Sequence, residues 1–264
     1  MTKQMTHAMR EAISLFFAPP ERCDAAGLFG TAHLLLLLLT VAAVAVALAL
    51  SRGMCVARVR RLLRYACVFF LVAEVVKLAV VWGVFRLKSP NELPLYFCSL
   101  VLYATPLAAF ARGAWQRAGD AFLAFGGLVG GGVYLLFPTT SLLRYPAWHF
   151  ISFYGFLWHG VMLYLALLLL WRGAYIPDPH DLRYFAAPVS VGCAVALVFN
   201  TVYNCFASDP VANLMFLSKD FPGTPLSLIY RLCGPFFTPV MWFAQATGPF
   251  LLGFGGVLLL RRSR

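Results

Sequence analysis

Seven apolar runs of helix length punctuate the chain, at residues 28–50, 62–85, 94–111, 121–137, 150–171, 185–207 and 234–260. A helix needs about 20 mostly apolar residues to cross a bilayer; the third and fourth runs are the shortest. No polar stretch between runs exceeds about 25 residues, far below the roughly 100 of a typical soluble domain. The pattern predicts an all-α fold, a polytopic membrane protein with seven transmembrane helices forming a single domain over residues 1–264. Proline-rich stretches at 19–20, 138–146 and 222–225 read as loops or loop starts. The first run begins behind Pro19, Pro20 and several charges, which predicts a retained helix rather than a cleaved signal. In the fourth run, Gly126/Gly130 and Gly127/Gly131 have small-xxx-small spacing, which lets a neighbouring helix or a lipid chain approach the backbone.

Composition agrees with this pattern. The chain is 61% hydrophobic and 12% charged, against about half and about a quarter in soluble domains. Its net charge of +11 does not point to nucleic acid, because nearly all the Lys and Arg residues lie between the apolar runs or at their ends, where membrane topology accounts for them. The N-terminal segment and loops 86–93, 138–149 and 208–233 carry 8 of them. Loops 51–61, 112–120 and 172–184, the tail and Arg64 carry 12. The strongest contributions come from Arg58, Arg60, Arg61, Arg64 and the Arg261, Arg262, Arg264 end. Basic loops favour the cytoplasm, which predicts a multi-pass protein of the cell membrane with its N-terminus outside and its C-terminus in the cytoplasm. The seven cysteines contain no CxxC pair, so neither a metal site nor a cofactor is expected. Cys205 and Cys233 flank the outer loop 208–233 and can form a disulfide or remain free.

Ionisable side chains inside a bilayer are costly, and each is a functional hypothesis by default. At about 1.5 Å of rise per residue, His33, Glu74, Lys77, Cys98, His159, Asn200 and Asn204 all fall in the outer half of the membrane. The inner half is expected to hold almost none. Each has a structural alternative. Glu74 and Lys77, at i and i+3, can neutralise each other. His33 can be a helix–helix hydrogen bond, and Asn200 and Asn204 share a face and can glue helices. A free cysteine is usually a small buried hydrophobe. Asp209, Lys219 and Asp220 read as solvated loop charges.

Acyl transfer needs a nucleophile, a base to activate it and a group to orient the base. Cys98, His159 and Glu74 or Asn200 can supply those roles. Lys77, or backbone N–H groups near Pro94, can hold an oxyanion. His33, Lys77, Asn200, Asn204 and Asn213 are the candidate substrate-binding or oxyanion residues. Arg144, Arg231 and Lys88 lie in outer loops and can meet a phosphate.

The run LPLYFCSL, holding Cys98, resembles the Leu-Pro-Leu-His/Gln-Leu-Cys segment of the YwaF-like bacterial integral membrane proteins, whose eukaryotic relatives form the transmembrane protein 164 family and look like acyltransferases of ether phospholipids. Further matches follow in order. They are His33 in GTAHLLLL, Glu74 in VAEVVK, His159 in FLWHGVM, Asn200 in VFNTVYN, Asn213-Leu-Met-Phe-Leu217 before Pro222, and Gly234-Pro235 at the last helix. The resemblance covers about residues 28–245. It implies that Cys98 is a nucleophile forming a thioester and that His159 is its partner. Tyr96 stands where His or Gln is usual, Leu214 replaces Tyr, and FFTPVMWF replaces a Trp-Pro-Trp-Tyr stretch, so loop and substrate contacts differ from the family pattern.

The leading expectation is therefore a lipid acyltransferase or deacylase whose partners are membrane phospholipids or lysophospholipids. The alternatives are a transporter or channel for a small solute or protons, or a non-catalytic membrane protein. A continuous polar path to the inner side would mark a transporter. A closed floor beneath the site would mark the enzyme, and Cys98 and His159 on different sides of the bundle would mark the third.

Overall fold

The structure, a computed structural model, describes residues 2–207, 209–222 and 224–262. Arg264 and the side chains of Arg261 and Arg262, used above to orient the chain, lie outside the described residues. The helices are α1 (Thr2–Phe16), α2 (Thr31–Leu50), α3 (Val56–Leu78), α4 (Val101–Phe110), α5 (Gly113–Ala121), α6 (Gly127–Leu136), α7 (Thr139–Leu142), α8 (Phe150–Trp171), α9 (Asp181–Phe206), α10 (Pro225–Cys233) and α11 (Phe237–Arg262). Among the described residues, six helical stretches are long and apolar enough to cross a membrane. They are α2, α3 with its extension to Val84, α5 through α7 (Gly113–Leu142), α8, α9, and α10 with α11 as far as Leu260. The third apolar run is the shorter helix Phe97–Phe110. The chain is thus a polytopic helical membrane protein.

Several helices start earlier than their apolar runs. Hydropathy marks only the part of a helix that lipid surrounds, whereas backbone hydrogen bonding continues through the charged turns beyond it. Thus α3 begins at Val56 and carries Arg58, Arg60, Arg61 and Arg64, and α5 begins at Gly113 and carries Arg117 and Asp120. Segment 208–233, read from sequence as a loop, contains α10.

The short third helix has a local cause. Pro94 disfavours helical backbone at the residue before it, and Leu93 is extended, with φ −62° and ψ 142°. Tyr96 is extended too, and a 3-10 turn, Phe97–Leu100, then leads into α4. At about 1.5 Å per residue, residues 97–110 reach roughly 20 Å while residues 113–136 reach roughly 35 Å. The helix start holding Cys98 therefore lies inside the bundle, beside Gly130 of α6, and not at its rim.

Helix α8 packs against α2, α3 and α6, while α5 packs against α4 and α9. The glycines of α6 explain the closeness of α8. A Cβ on Gly127 would lie 3.0 Å from the Met162 carbonyl, and one on Gly131 would lie 3.0 Å from the His159 carbonyl. The Gly127/Gly131 pair therefore serves helix–helix packing. Gly130 faces elsewhere, toward Cys98 and Phe97.

A second non-helical segment, 211–217, also descends into the bundle, with Leu214, Met215 and Leu217 fully buried. Irregular backbone at membrane depth needs partners within the protein. Asn200 donates to the Leu214 carbonyl (3.0 Å) and accepts from its N–H (2.9 Å). Asn204 does the same for Ala212. Asn213 accepts from the N–H groups of Ser218 and Lys219, and Gln245 of α11 donates to the Met215 carbonyl. Met215 and Phe216 have φ of 55° and 51°, a left-handed conformation that non-glycine residues adopt only when held there.

The opposite end of the bundle also holds buried charges, in segments that read from sequence as loops. Asp120 and Asp181 are buried there. Arg60 binds Asp120 through both carboxylate oxygens and also donates to the carbonyls of Ala108 and Ala174. Arg117 binds Asp181, which also accepts from the Tyr175 hydroxyl and the Asp178 N–H. Both aspartates fell in segments read as loops, so they escaped the sequence count.

Candidate functional site

Cys98 sits in the 3-10 turn, with its Sγ 3.9 Å from the Gly130 carbonyl oxygen. A Cβ on Gly130 would stand 3.3 Å from that sulfur, so glycine makes the space the thiol occupies. Trp158 of α8 donates its indole N–H to the Cys98 carbonyl at 3.4 Å. The N–H groups of Phe97 and Cys98, first in the turn, have no backbone acceptor among the described residues. That is the usual condition of a helix start.

His159 follows Trp158 on α8 and is 8% exposed. Its Nδ1 lies 2.7 Å from the Gly155 carbonyl, which can only accept, so Nδ1 carries the proton. Nε2 then holds a lone pair, and no described residue donates to it. The imidazole lies flat on the Tyr134 ring, with centroids 3.6 Å apart and planes at 4°. Tyr134 comes four residues after Gly130, one turn along the same face of α6. Cys98 thus contacts α6 at Gly130, and the His159 ring contacts it at Tyr134, two contact positions about 6 Å apart along the helix axis.

The other candidates have different partners. Glu74 pairs with Lys77 (Oε1 to Nζ 2.7 Å) and accepts from the Tyr154 hydroxyl at 2.7 Å. The Lys77 ammonium also donates to the Glu92 carbonyl at 2.9 Å. The pair neutralises itself, and the Gly155 carbonyl, not Glu74, orients His159. His33 accepts from the Phe29 N–H and donates to the Leu135 carbonyl, stapling α2 to the end of α6. The amide groups of Asn200, Asn204 and Asn213 are occupied by the 211–219 backbone. Cys205 and Cys233 are free thiols. Among the described residues, no group of three His, Cys, Asp or Glu gathers as metal ligands would.

Tyr134, Trp158 and Tyr154 were missed in the sequence. Aromatic residues are abundant in membrane helices, and only the four-residue spacing of Gly130 and Tyr134 hints at a shared role. Away from the thiol, a series of aromatic rings runs in contact through the bundle. Phe97 contacts Phe122 (5.4 Å between centroids), Phe122 stacks on Phe185 (5.7 Å), and Phe185 meets Phe250 (6.0 Å). Phe250 meets Phe125 (5.0 Å), which meets Tyr175 near the opposite end (6.1 Å). A shallow groove of about 430 Å³ between α9 and α11 is lined by Ser190, Trp242 and apolar neighbours, and includes none of the candidate residues.

No curated protein and no solved structure matches the chain. The TMEM164 family profile does match, over residues 28–258, which includes the thiol, the imidazole and both segments that descend into the bundle. With most of its length matched, the chain belongs to the TMEM164 family.

Proposed function

We propose that this protein is a lipid acyltransferase or deacylase that carries an acyl chain as a thioester on Cys98, with His159 as the base. One observation supports this above the rest. Cys98 contacts α6 at Gly130 and the His159 ring contacts it one turn later at Tyr134, with Nδ1 committed to Gly155 and no described residue donating to Nε2. Charge on sulfur is expensive in apolar surroundings, so the proton moves to Nε2 as the sulfur attacks the ester carbonyl of a phospholipid. The N–H groups of Phe97 and Cys98, which have no backbone acceptor among the described residues, take the role of donors to the developing oxyanion in this reading. Collapse breaks the ester C–O bond, and the leaving lysolipid alkoxide takes the proton from His159. A second alcohol, or water, then attacks the thioester with His159 again accepting the proton. This restores the thiol and gives an acylated lipid or a free fatty acid.

The series of aromatic rings between the thiol and the opposite end, and the pairing of the charges there, favour this reading over transport. With the basic end in the cytoplasm, Cys98 faces the outer leaflet, and the N-terminus is outside.

The test is a mass spectrum of the Cys98 peptide after the purified protein meets total membrane lipids, with and without hydroxylamine. A hydroxylamine-sensitive acyl adduct that disappears in His159→Ala is expected. No adduct on folded protein, even in variants that stall deacylation, removes the reading.

A further inference from the structure

We infer that Tyr134 is a positioning residue that fixes the plane of the His159 imidazole and with it the direction of Nε2. An imidazole held by one hydrogen bond can still swing about that bond. Here the Nδ1–H bond to Gly155 fixes one edge, and the Tyr134 ring, parallel at 3.6 Å, fixes the plane. Tyr134 is itself held at its far end. Its hydroxyl lies 2.7 Å from the Ser141 Oγ, which donates onward to the Pro138 carbonyl. The hydroxyl occupies the volume a side chain at Gly155 would take, since a Cβ there would lie 1.8 Å from it. The phenol is thus clamped between α7 and α8 while its backbone belongs to α6. Gly130, one turn earlier, contacts the sulfur. Helix α6 therefore touches the thiol at Gly130 and the imidazole one turn later at Tyr134.

This inference deepens the proposed acyl transfer, and its kinetic arm rests on that reading. Its spectroscopic arm does not. Nitrogen-correlated NMR of the detergent-solubilised full chain, labelled on histidine and assigned with His159→Gln, should show His159 as one Nδ1–H tautomer. Its ring protons should be shifted upfield by the stacked phenol. Tyr134→Phe keeps the ring and should keep both signatures, with an acylation rate of Cys98 within about threefold of wild type. Tyr134→Leu should lose the upfield shift, average the tautomers and slow acylation about 10- to 100-fold, the scale expected when a reacting group is misplaced by about 1 Å. The KM for lipid should be unchanged. A wild-type His159 without the upfield shift overturns the inference, even if Tyr134→Leu fails to fold. Tyr134→Leu with wild-type tautomer and rate also overturns it. If wild type forms no adduct but shows both signatures, the acyl-transfer reading fails and the positioning of His159 stands.

Discussion

The N–H of Met215 donates to the carbonyl of Leu95 at 3.2 Å, joining the two descending segments three residues before Cys98. Asn91 strengthens the join, donating to the Val211 carbonyl and accepting from the Asn213 N–H. The rings of Tyr96 and Phe216 meet at 4.9 Å. Segment 211–217 is therefore a scaffold for the approach to the thiol. Asn200, fully buried, is its main fastening.

Asn200→Ala should strip the Leu214 N–H and carbonyl and the Ser218 hydroxyl of their partner at once. A buried polar group left unpaired costs about 1–3 kcal/mol, so a loss of about 2–4 kcal/mol is expected. It should read as a lower thermal midpoint in detergent and as new proteolytic cleavage within residues 209–222. Asn204→Ala, at a half-buried position, should lose less. Equal midpoints for Asn200→Ala and wild type would contradict the fastening role.

Two glycines one residue apart should behave differently. Gly131→Ala puts a methyl group 3.0 Å from the His159 carbonyl, where backbone must move. Overpacking of this kind costs about 1–3 kcal/mol. Gly130→Ala meets the Cys98 sulfur and the Phe97 ring at 3.3 Å, and these side chains can give. It should fold nearly normally yet alter the rate at which Cys98 reacts with a lipid-soluble maleimide. If both variants lose stability alike and leave Cys98 reactivity untouched, the assignment of the two faces is wrong.

The sequence made the apolar runs plain, because length and hydropathy decide membrane insertion. It also made the Glu74–Lys77 pairing readable, since i and i+3 neighbours meet on any helix. The ends of α3 and α5 were hidden by the charged turns that continue them. The partners of Asn200, Asn204 and Asn213 are not legible in the sequence for a deeper reason. A buried amide implies something polar to satisfy, and the sequence leaves open whether that is a substrate, a neighbouring helix or a loop. The group they satisfy is the backbone of a segment that reads as an outer loop, and its descent into the bundle is a tertiary fact. The contact of both Cys98 and His159 with α6 is tertiary too. It depends on where α6 passes, not on the 61 positions separating them.

The Arg60–Asp120 pair should be worth most when broken from one side. The side chains are 21% and 7% exposed. Removing one partner from a buried pair costs about 3–5 kcal/mol, and Asp120→Ala should fall toward the lower figure because Arg60 retains some solvent. Arg60→Met together with Asp120→Leu should recover much of the loss, because apolar replacements of both partners are often tolerated. A double-mutant cycle on thermal unfolding measures the coupling. Additive losses would mean the charges act independently.

His149 gives the site end a pH dependence. It is fully buried, donates through Nε2 to the Ala18 carbonyl at 3.0 Å and accepts from the Ile151 N–H at 3.2 Å. Burial lowers its pKa from the ordinary 6.5. The unfolded segment therefore binds a proton at a higher pH than the folded one. Stability is complete above about pH 6.5 and falls as the pH drops below it toward the folded value. Protonation also places a hydrogen on Nδ1, facing the Ile151 N–H. Between pH 7 and 5, hydrogen exchange around residues 17–18 and 150–152 should quicken, and His149→Gln should flatten that response. A response unchanged in His149→Gln would move the cause to another group.

Orientation in the membrane can be read from two exposed cysteines at opposite ends. Cys55 opens α3, where the Arg58 N–H, with help from the Arg58 charge, lowers its thiol pKa below the usual value. It should be the faster of the two thiols to alkylate in detergent. Cys205 lies at the far end of α9. With the N-terminus outside, a membrane-impermeant maleimide added to intact cells should label Cys205 and spare Cys55 until the membrane is permeabilised. The two cysteines are compared in variants that retain only one or the other. Labelling of Cys55 in intact cells would invert the topology and turn Cys98 toward the cytoplasmic leaflet. The lipid pool available to the thiol would then be the opposite one.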